Sequence, residues 1–247
     1  MILMPIPDFE FDPSETGIPW KVLKDNGVDI TFATPSGKPG QADPRMLTGN
    51  GLGIWKKVLM ANADALKCYA SMTKDDKFNH PVKWEEINPA DYAAIMLPGG
   101  HAPGMRTYLD SGKLQNIVVR FFDDQKPVGA ICHGALLAAR SIDPKTGKSV
   151  IYNYKTTALL KSQEMAAYIM TCLWRGRYYR TYPLTVEDEV KSFLIDKKNF
   201  FRGNSGLIRD TLNDTSHSFS VLDRKYLSAR WPGDAYHFAL EFLKLIK

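Results

Sequence analysis

Long apolar runs are missing from this sequence. Nowhere among its 247 residues do the ~20 consecutive apolar side chains of a membrane-crossing helix occur, so no membrane partner is expected. Cysteine is scarce as well. The three present, Cys68, Cys132 and Cys172, are an odd number at wide spacing without a CxxC pair, which argues against a disulfide framework or a thiolate zinc site. Basic runs never exceed two residues and the net charge is only +5, too little for the electrostatic footprint of a nucleic-acid binder. The single basic and aromatic cluster, RGRYYR at 175–180, reads as a solvated helix end because no nucleic-acid motif surrounds it. The amino terminus, MILMPIPDFEFDPSE, lacks a positive segment and meets acids within a few residues, so no signal peptide is expected. Reduced thiols and a cytoplasmic location fit these absences together.

What is present is a globular composition, with 44% hydrophobic residues. Short apolar runs alternate with longer helical patterns. ILMPI (2–6), VDITFATP (28–35), AAIMLPGG (93–100) and PVGAIC (127–132) read as buried strands, with a shorter strand at SVIY (149–152). Helical periodicity covers 14–27 with Ser14 as N-cap, 56–72, 113–125, the stretch from His133, 162–174, 185–194 and 234–246. Residues 36–55, rich in Gly, Pro and Asp, read as a loop, and 219–231 as a hairpin. Apolar strands alternating with helices imply a mostly parallel sheet covered on both faces, an α/β flavodoxin-like three-layer sandwich. No repeat or linker divides the chain, so a single domain over 1–247 is expected.

Chemistry concentrates at PVGAICHGALLAA, residues 127–139. Cys132 closes a buried strand and His133 opens a helix without a linker, with Gly129 and Gly134 on either side. A sharp strand-to-helix turn strains the residue at its apex and requires small neighbours, the logic of a nucleophile elbow. It lifts the side chain out at the carboxyl ends of the strands, where open α/β sheets bind ligands. The helix N-terminus there favours thiolate over thiol. Cys68 and Cys172 fall in helical apolar patterns and read as core. A second constellation, IMLPGGHAPGMR (95–106), ends a strand in paired glycines whose amides can hold a developing oxyanion. Gly99 and His101 are candidate substrate-binding residues in the same crevice.

AICHGALLAARS, AIMLPGGHAPGMR and FDPSETGIPWKVLKDNGVDITFATP, in that order, resemble the ThiJ/PfpI (DJ-1) superfamily, relatives of the class I glutamine amidotransferase domain. The resemblance runs from about residue 2 to 172, and the segments near 36–90 and 175–230 resemble the cap additions of its larger chaperone and glyoxalase III-like branch. It implies Cys132 as nucleophile and the amides of Gly100 and His133 as oxyanion hole. It also implies Glu15 as an acid against the sulfur, where a protonated carboxyl favours the ionised thiol. In some branches an acid about 30 residues beyond the histidine completes a triad. Glu164, 31 positions after His133, is the candidate here in preference to Glu187, Asp188 or Glu189, and a dyad without an acid stays open. Trp20, Trp55 and Trp174 are candidates for an apolar wall. No metal site can be placed. A glutamine amidotransferase proper needs His-x-Glu, whereas His217 and His237 are followed two residues on by Phe219 and Ala239.

The resemblance therefore implies a cofactor-independent cysteine enzyme, a glutathione-independent glyoxalase or a protein deglycase, acting on a small aldehyde or a glycated protein or peptide. A homodimer is a further implication of the superfamily. Two alternatives share the same nucleophile: a peptidase or amidase, separable by pocket width, and a redox-sensing stress chaperone, which needs an exposed thiolate of low pKa.

Overall fold

The apolar runs have no polar side chains to offer solvent, and they assemble into the centre of the molecule. The structure is a computed structural model that describes residues 1–204 and 207–247. Seven strands, β1 (Ile2–Pro5), β2 (Ile30–Thr34), β3 (Val82–Lys83), β4 (Ala94–Leu97), β5 (Val128–Ile131), β6 (Ser220–Asp223) and β7 (Tyr226–Ala229), form one sheet in the order β6-β7-β5-β4-β1-β2-β3. Every neighbouring pair is parallel except the β6–β7 hairpin. β1, β4, β5 and β7 are buried along their whole length, as a sheet covered on both faces requires.

The principal helices are α1 (Pro13–Asp25), α2 (Ala63–Met72), α3 (Gly112–Asp123), α4 (His133–Arg140), α5 (Lys161–Arg175), α6 (Val186–Ser192) and α7 (Ala235–Ile246). α1 packs against both α2 and α7, while α4 packs against α3 and α6, giving the two helical layers of an α/β sandwich. After β3 the chain returns to the other side of β1 to build β4, β5 and β7. The crevice at such a reversal, beyond the carboxyl ends of the strands, is where open α/β sheets bind ligands.

Several sequence expectations change in detail. The N-cap of α1 is Asp12 rather than Ser14: its Oδ1 accepts the amides of Ser14 and Glu15 at 2.7 and 3.1 Å, and Pro13 takes the first helical position, where no N–H is needed. The helix expected over 56–72 breaks after Leu59, because Met60 is extended and Asn62 caps a new helix by accepting the Ala65 amide at 2.8 Å. The strand expected over 149–152 shrinks to a two-residue pair, Lys148–Ser149 with Ile142–Asp143, followed by turns. β3 has only two residues and carries no pattern of its own; pairing with Ala33 and Thr34 makes it a strand.

Candidate active site

Cys132 sits where β5 gives way to α4, with φ +59° and ψ −122°. A non-glycine residue there is strained by roughly 1–3 kcal/mol, and packing on both sides enforces the turn. The Cys132 amide donates to the Ala229 carbonyl at 3.0 Å, and its own carbonyl accepts the Ala135 amide at 3.2 Å. Gly134 presses against the neighbouring strand so closely that a Cβ there would lie 2.0 Å from the Leu97 carbonyl oxygen. The small residue after the histidine is therefore a packing requirement of the elbow.

The Pro-Gly-Gly turn after β4 faces the elbow. Gly100 has φ +152°, a conformation side chains disfavour, and a Cβ on it would press on the Asp12 amide at 3.0 Å. The Asp12 amide in turn donates to the Gly99 carbonyl at 3.1 Å, so the cap of α1 and the glycine turn hold each other. Among the described residues neither the Gly100 nor the His133 amide has a carbonyl acceptor, which leaves both available to an oxyanion. Gly99 lies against the His133 amide and the Glu15 carboxyl, 2.8 and 2.6 Å from where its Cβ would be. It shapes the wall.

His133 is buried, with Nδ1 3.5 Å from the Cys132 sulfur and Nε2 3.4 Å from the Thr181 hydroxyl. That hydroxyl gives its proton to the His101 carbonyl at 2.6 Å, so its lone pair faces Nε2 and selects the tautomer protonated there. Nδ1 is then the acceptor directed at the thiol. Burial, with His101 and Arg140 nearby, pushes the His133 pKa down to about 3, so the resting ring is neutral. The expected triad acid is elsewhere. Glu164 accepts the Val186 amide at 2.9 Å and lies 3.2 Å from the Arg180 guanidinium, tying α5 to α6. The group at the far nitrogen of His133 is Thr181, which no spacing rule indicates.

Glu15, at the third position of α1, is completely buried beside the Cys132 thiol and the Gly99 amide. Neither carboxyl oxygen forms a hydrogen bond of ordinary geometry, so proximity couples acid and thiol. Burial pushes the Glu15 pKa well up, and neighbouring Asp12 adds to it. Burial also pushes the Cys132 thiol well up, followed by the charge of Glu15. The two titrate as a unit, and low dielectric opposes the first negative charge on either. This differs from the sequence expectation of a ready thiolate: desolvation outweighs the helix N-terminus, and Cys132 is only 3% exposed. An oxidation-sensing role required an exposed, ionised sulfur, and the site offers neither.

Above the sulfur lies a cavity of about 130 Å³. Met46, Val58 and Leu59 wall it from the 36–90 segment, Ala167 and Met170 from α5. The expected tryptophans are not in this wall: Trp20 is core, and Trp174 is 46% exposed with its indole N–H on the Gly51 carbonyl. Trp231, just after β7, takes that place, joined by Tyr179 and Arg209. His101 lines the cavity, its ring stacked on Tyr179 at 4.3 Å between centroids, and burial pushes its pKa down to about 3. Asp12 was missed in favour of Ser14, although an aspartate before a proline is itself an N-cap signal. Tyr179 sits in the basic, aromatic RGRYYR cluster but packs inward. Thr181 and Arg209 had no signal. Among the described residues no three His, Cys, Asp or Glu side chains are arranged to hold a metal ion, and no helix is long and apolar enough to cross a membrane.

Residues 6–202 match a family model described as ThiJ/PfpI family-like. The chain belongs to the ThiJ/PfpI family. A deglycase of Pyrococcus abyssi is 28% identical over 169 residues, covering 68% of this chain and 71% of that protein. A glutathione-independent glyoxalase of Schizosaccharomyces pombe is 27% identical over 157 residues, 61% of this chain and 60% of its own. In fold, the crystal structure of glyoxalase III from Candida albicans superposes with a TM-score of 0.64 at 22% identity, covering 100% of this chain and 97% of that one. Glyoxalase and deglycase are thus the activities named among relatives of this ThiJ/PfpI chain.

Proposed function

We propose that the protein is a cofactor-independent, cysteine-dependent glyoxalase that converts small 2-oxoaldehydes to 2-hydroxy acids. The observation that carries this reading is the Cys132 thiol, 3.5 Å from His133 Nδ1, at the floor of a cavity of about 130 Å³. An apolar cavity of about 150 Å³ holds benzene, so this one suits a compound of that order and favours a small carbonyl over a peptide. The names of the relatives support the same chemistry.

In this mechanism the sulfur adds to the aldehyde carbon as its proton passes to His133 Nδ1. The amides of Gly100 and His133 hold the developing oxyanion, which takes a proton to give a hemithioacetal. His133 Nδ1, free again once its proton has passed to the oxyanion, removes the proton on the former aldehyde carbon and returns it to the adjacent carbon, leaving a thioester of the 2-hydroxy acid. Water cleaves the thioester and regenerates the thiol. The sum is R–CO–CHO plus water giving R–CHOH–COO⁻ and a proton, with no net redox partner. Glu15, kept protonated by burial, offers an acid beside the reacting carbons.

Lactate formation from methylglyoxal without glutathione tests the proposal directly. Wild-type protein should form lactate, and Cys132→Ala should fall to the uncatalysed rate. A Cys132→Ala protein as active as wild type, or a wild type forming no lactate, defeats it.

A further inference from the structure

Several buried or half-buried arginines in this fold hold a carboxylate. Arg230 pairs with Asp234 at 2.8 Å, Arg140 with Glu189 at 2.7 Å and Arg180 with Glu164 at 3.2 Å. Arg209 does not. It lines the Cys132 cavity, yet among the described residues its only hydrogen bonds go to the carbonyls of Val58 and Met60, at 3.3 and 3.1 Å, both from one terminal nitrogen. Its remaining donors have no acceptor there. Around the same cavity, the Tyr179 hydroxyl, the Gln163 amide nitrogen and the Trp231 indole nitrogen are buried without partners. Tyr179 and Gln163 are 5% and 9% exposed. Three buried N–H or O–H groups without acceptors, beside a guanidinium that bonds through only one of its nitrogens, describe a site built for an oxygen-rich anion, because each orphaned donor is costly until an acceptor arrives.

We infer that this cavity selects 2-oxoaldehydes that carry a carboxylate, with Arg209 as its anchor and Tyr179, Gln163 and Trp231 as supporting donors. The inference rests on the glyoxalase reading of Cys132 for the reaction, but the anion site stands on its own geometry. Burial raises the pKa of the three cavity carboxyls, Asp12, Glu15 and Glu164, which reduces their repulsion of an incoming anion. The apolar wall of Met46, Leu59 and Met170 then covers the short chain between the carbonyls and the carboxylate. 4,5-Dioxopentanoate is a compound with this arrangement of groups. Its conversion balances as OHC–CO–CH2–CH2–COO⁻ plus water giving ⁻OOC–CHOH–CH2–CH2–COO⁻ and a proton.

Two measurements on the full chain test the inference. The first is binding of 4-oxopentanoate and its neutral amide to wild-type protein by calorimetry. Neither has an aldehyde, so the result does not depend on turnover; the acid should bind at least about tenfold tighter than the amide. The second is kcat/KM for 4,5-dioxopentanoate relative to methylglyoxal. Wild type should prefer the carboxylate about 30-fold, Arg209→Gln should bring the ratio near unity, and Arg209→Lys should restore part of it. Equal binding of acid and amide overturns the inference, even if Arg209→Gln fails to fold. An unchanged ratio in folded Arg209→Gln also overturns it, since Arg209 would then only balance the charges of Asp12 and Glu15. If acid is preferred over amide but neither aldehyde is converted, the anion site stands and the glyoxalase reading falls. If methylglyoxal is converted without preference for the acid, the reverse holds.

Discussion

In the proposed reaction two residues divide the work of presenting a buried thiol. Cys132 is held at positive φ by its neighbours, so its sulfur projects out of the sheet instead of lying along it. Thr181 fixes which nitrogen of His133 is free, because its own proton is committed to the His101 carbonyl. Replacing Thr181 by valine keeps the shape and deletes the acceptor. The free tautomer would then be mixed, and kcat should fall about 10- to 100-fold, with KM nearly unchanged and activity recovered in Thr181→Ser. Steady-state kinetics checks this; a Thr181→Val enzyme with wild-type kcat removes Thr181 from the proton path. At this scale the strained turn at Cys132 was legible, since small residues on both sides of a strand-ending cysteine and the helix after it call for one. Thr181 was not. It is one of many threonines, and only folding brings it 48 positions back to His133.

Elements, rather than single residues, explain the two acids singled out in the sequence. Glu15 reaches the sulfur because Asp12 caps α1 and its amide is bound to the Gly99 carbonyl, so helix and glycine turn move together. Glu164 instead joins α5 to α6, and its 31-residue spacing from His133 could not distinguish the two uses. Burial raises its pKa to about 7. A carboxyl raised in the folded state favours folding most below its unfolded pKa near 4.5, and that contribution is lost as pH rises through about 7. Glu164→Gln keeps an acceptor for Val186 without the titration. Its melting temperature should therefore gain on wild type by a few degrees (~3 °C) between pH 5 and pH 8. Calorimetry at the two pH values measures the gap, and a gap that stays constant or shrinks contradicts the assignment.

At the scale of the whole molecule, the cavity joins parts of the chain that are far apart in sequence. Arg230 and Asp234 lock one side of it: both are fully buried and paired at 2.8 Å. Arg230 also donates to the carbonyls of Arg202 and Asn204, and Asp234 accepts the Phe219 amide at 3.1 Å. Asp234→Asn leaves a buried guanidinium without its counter-charge, which costs about 3–5 kcal/mol. Thermal unfolding should drop by roughly 10 °C; a shift under ~3 °C would mean the pair carries little of the assembly. The strand runs, the nucleophile elbow and the paired glycines followed from sequence alone, because each is set by local constraints of apolar periodicity, backbone strain and helix capping. Tertiary structure decided the partner of His133, the duty of Glu164, the protonated state of the thiol and the cation over the cavity. Those depend on burial and on contacts between distant segments, and in a buried site desolvation outweighs the local dipole that the sequence makes visible.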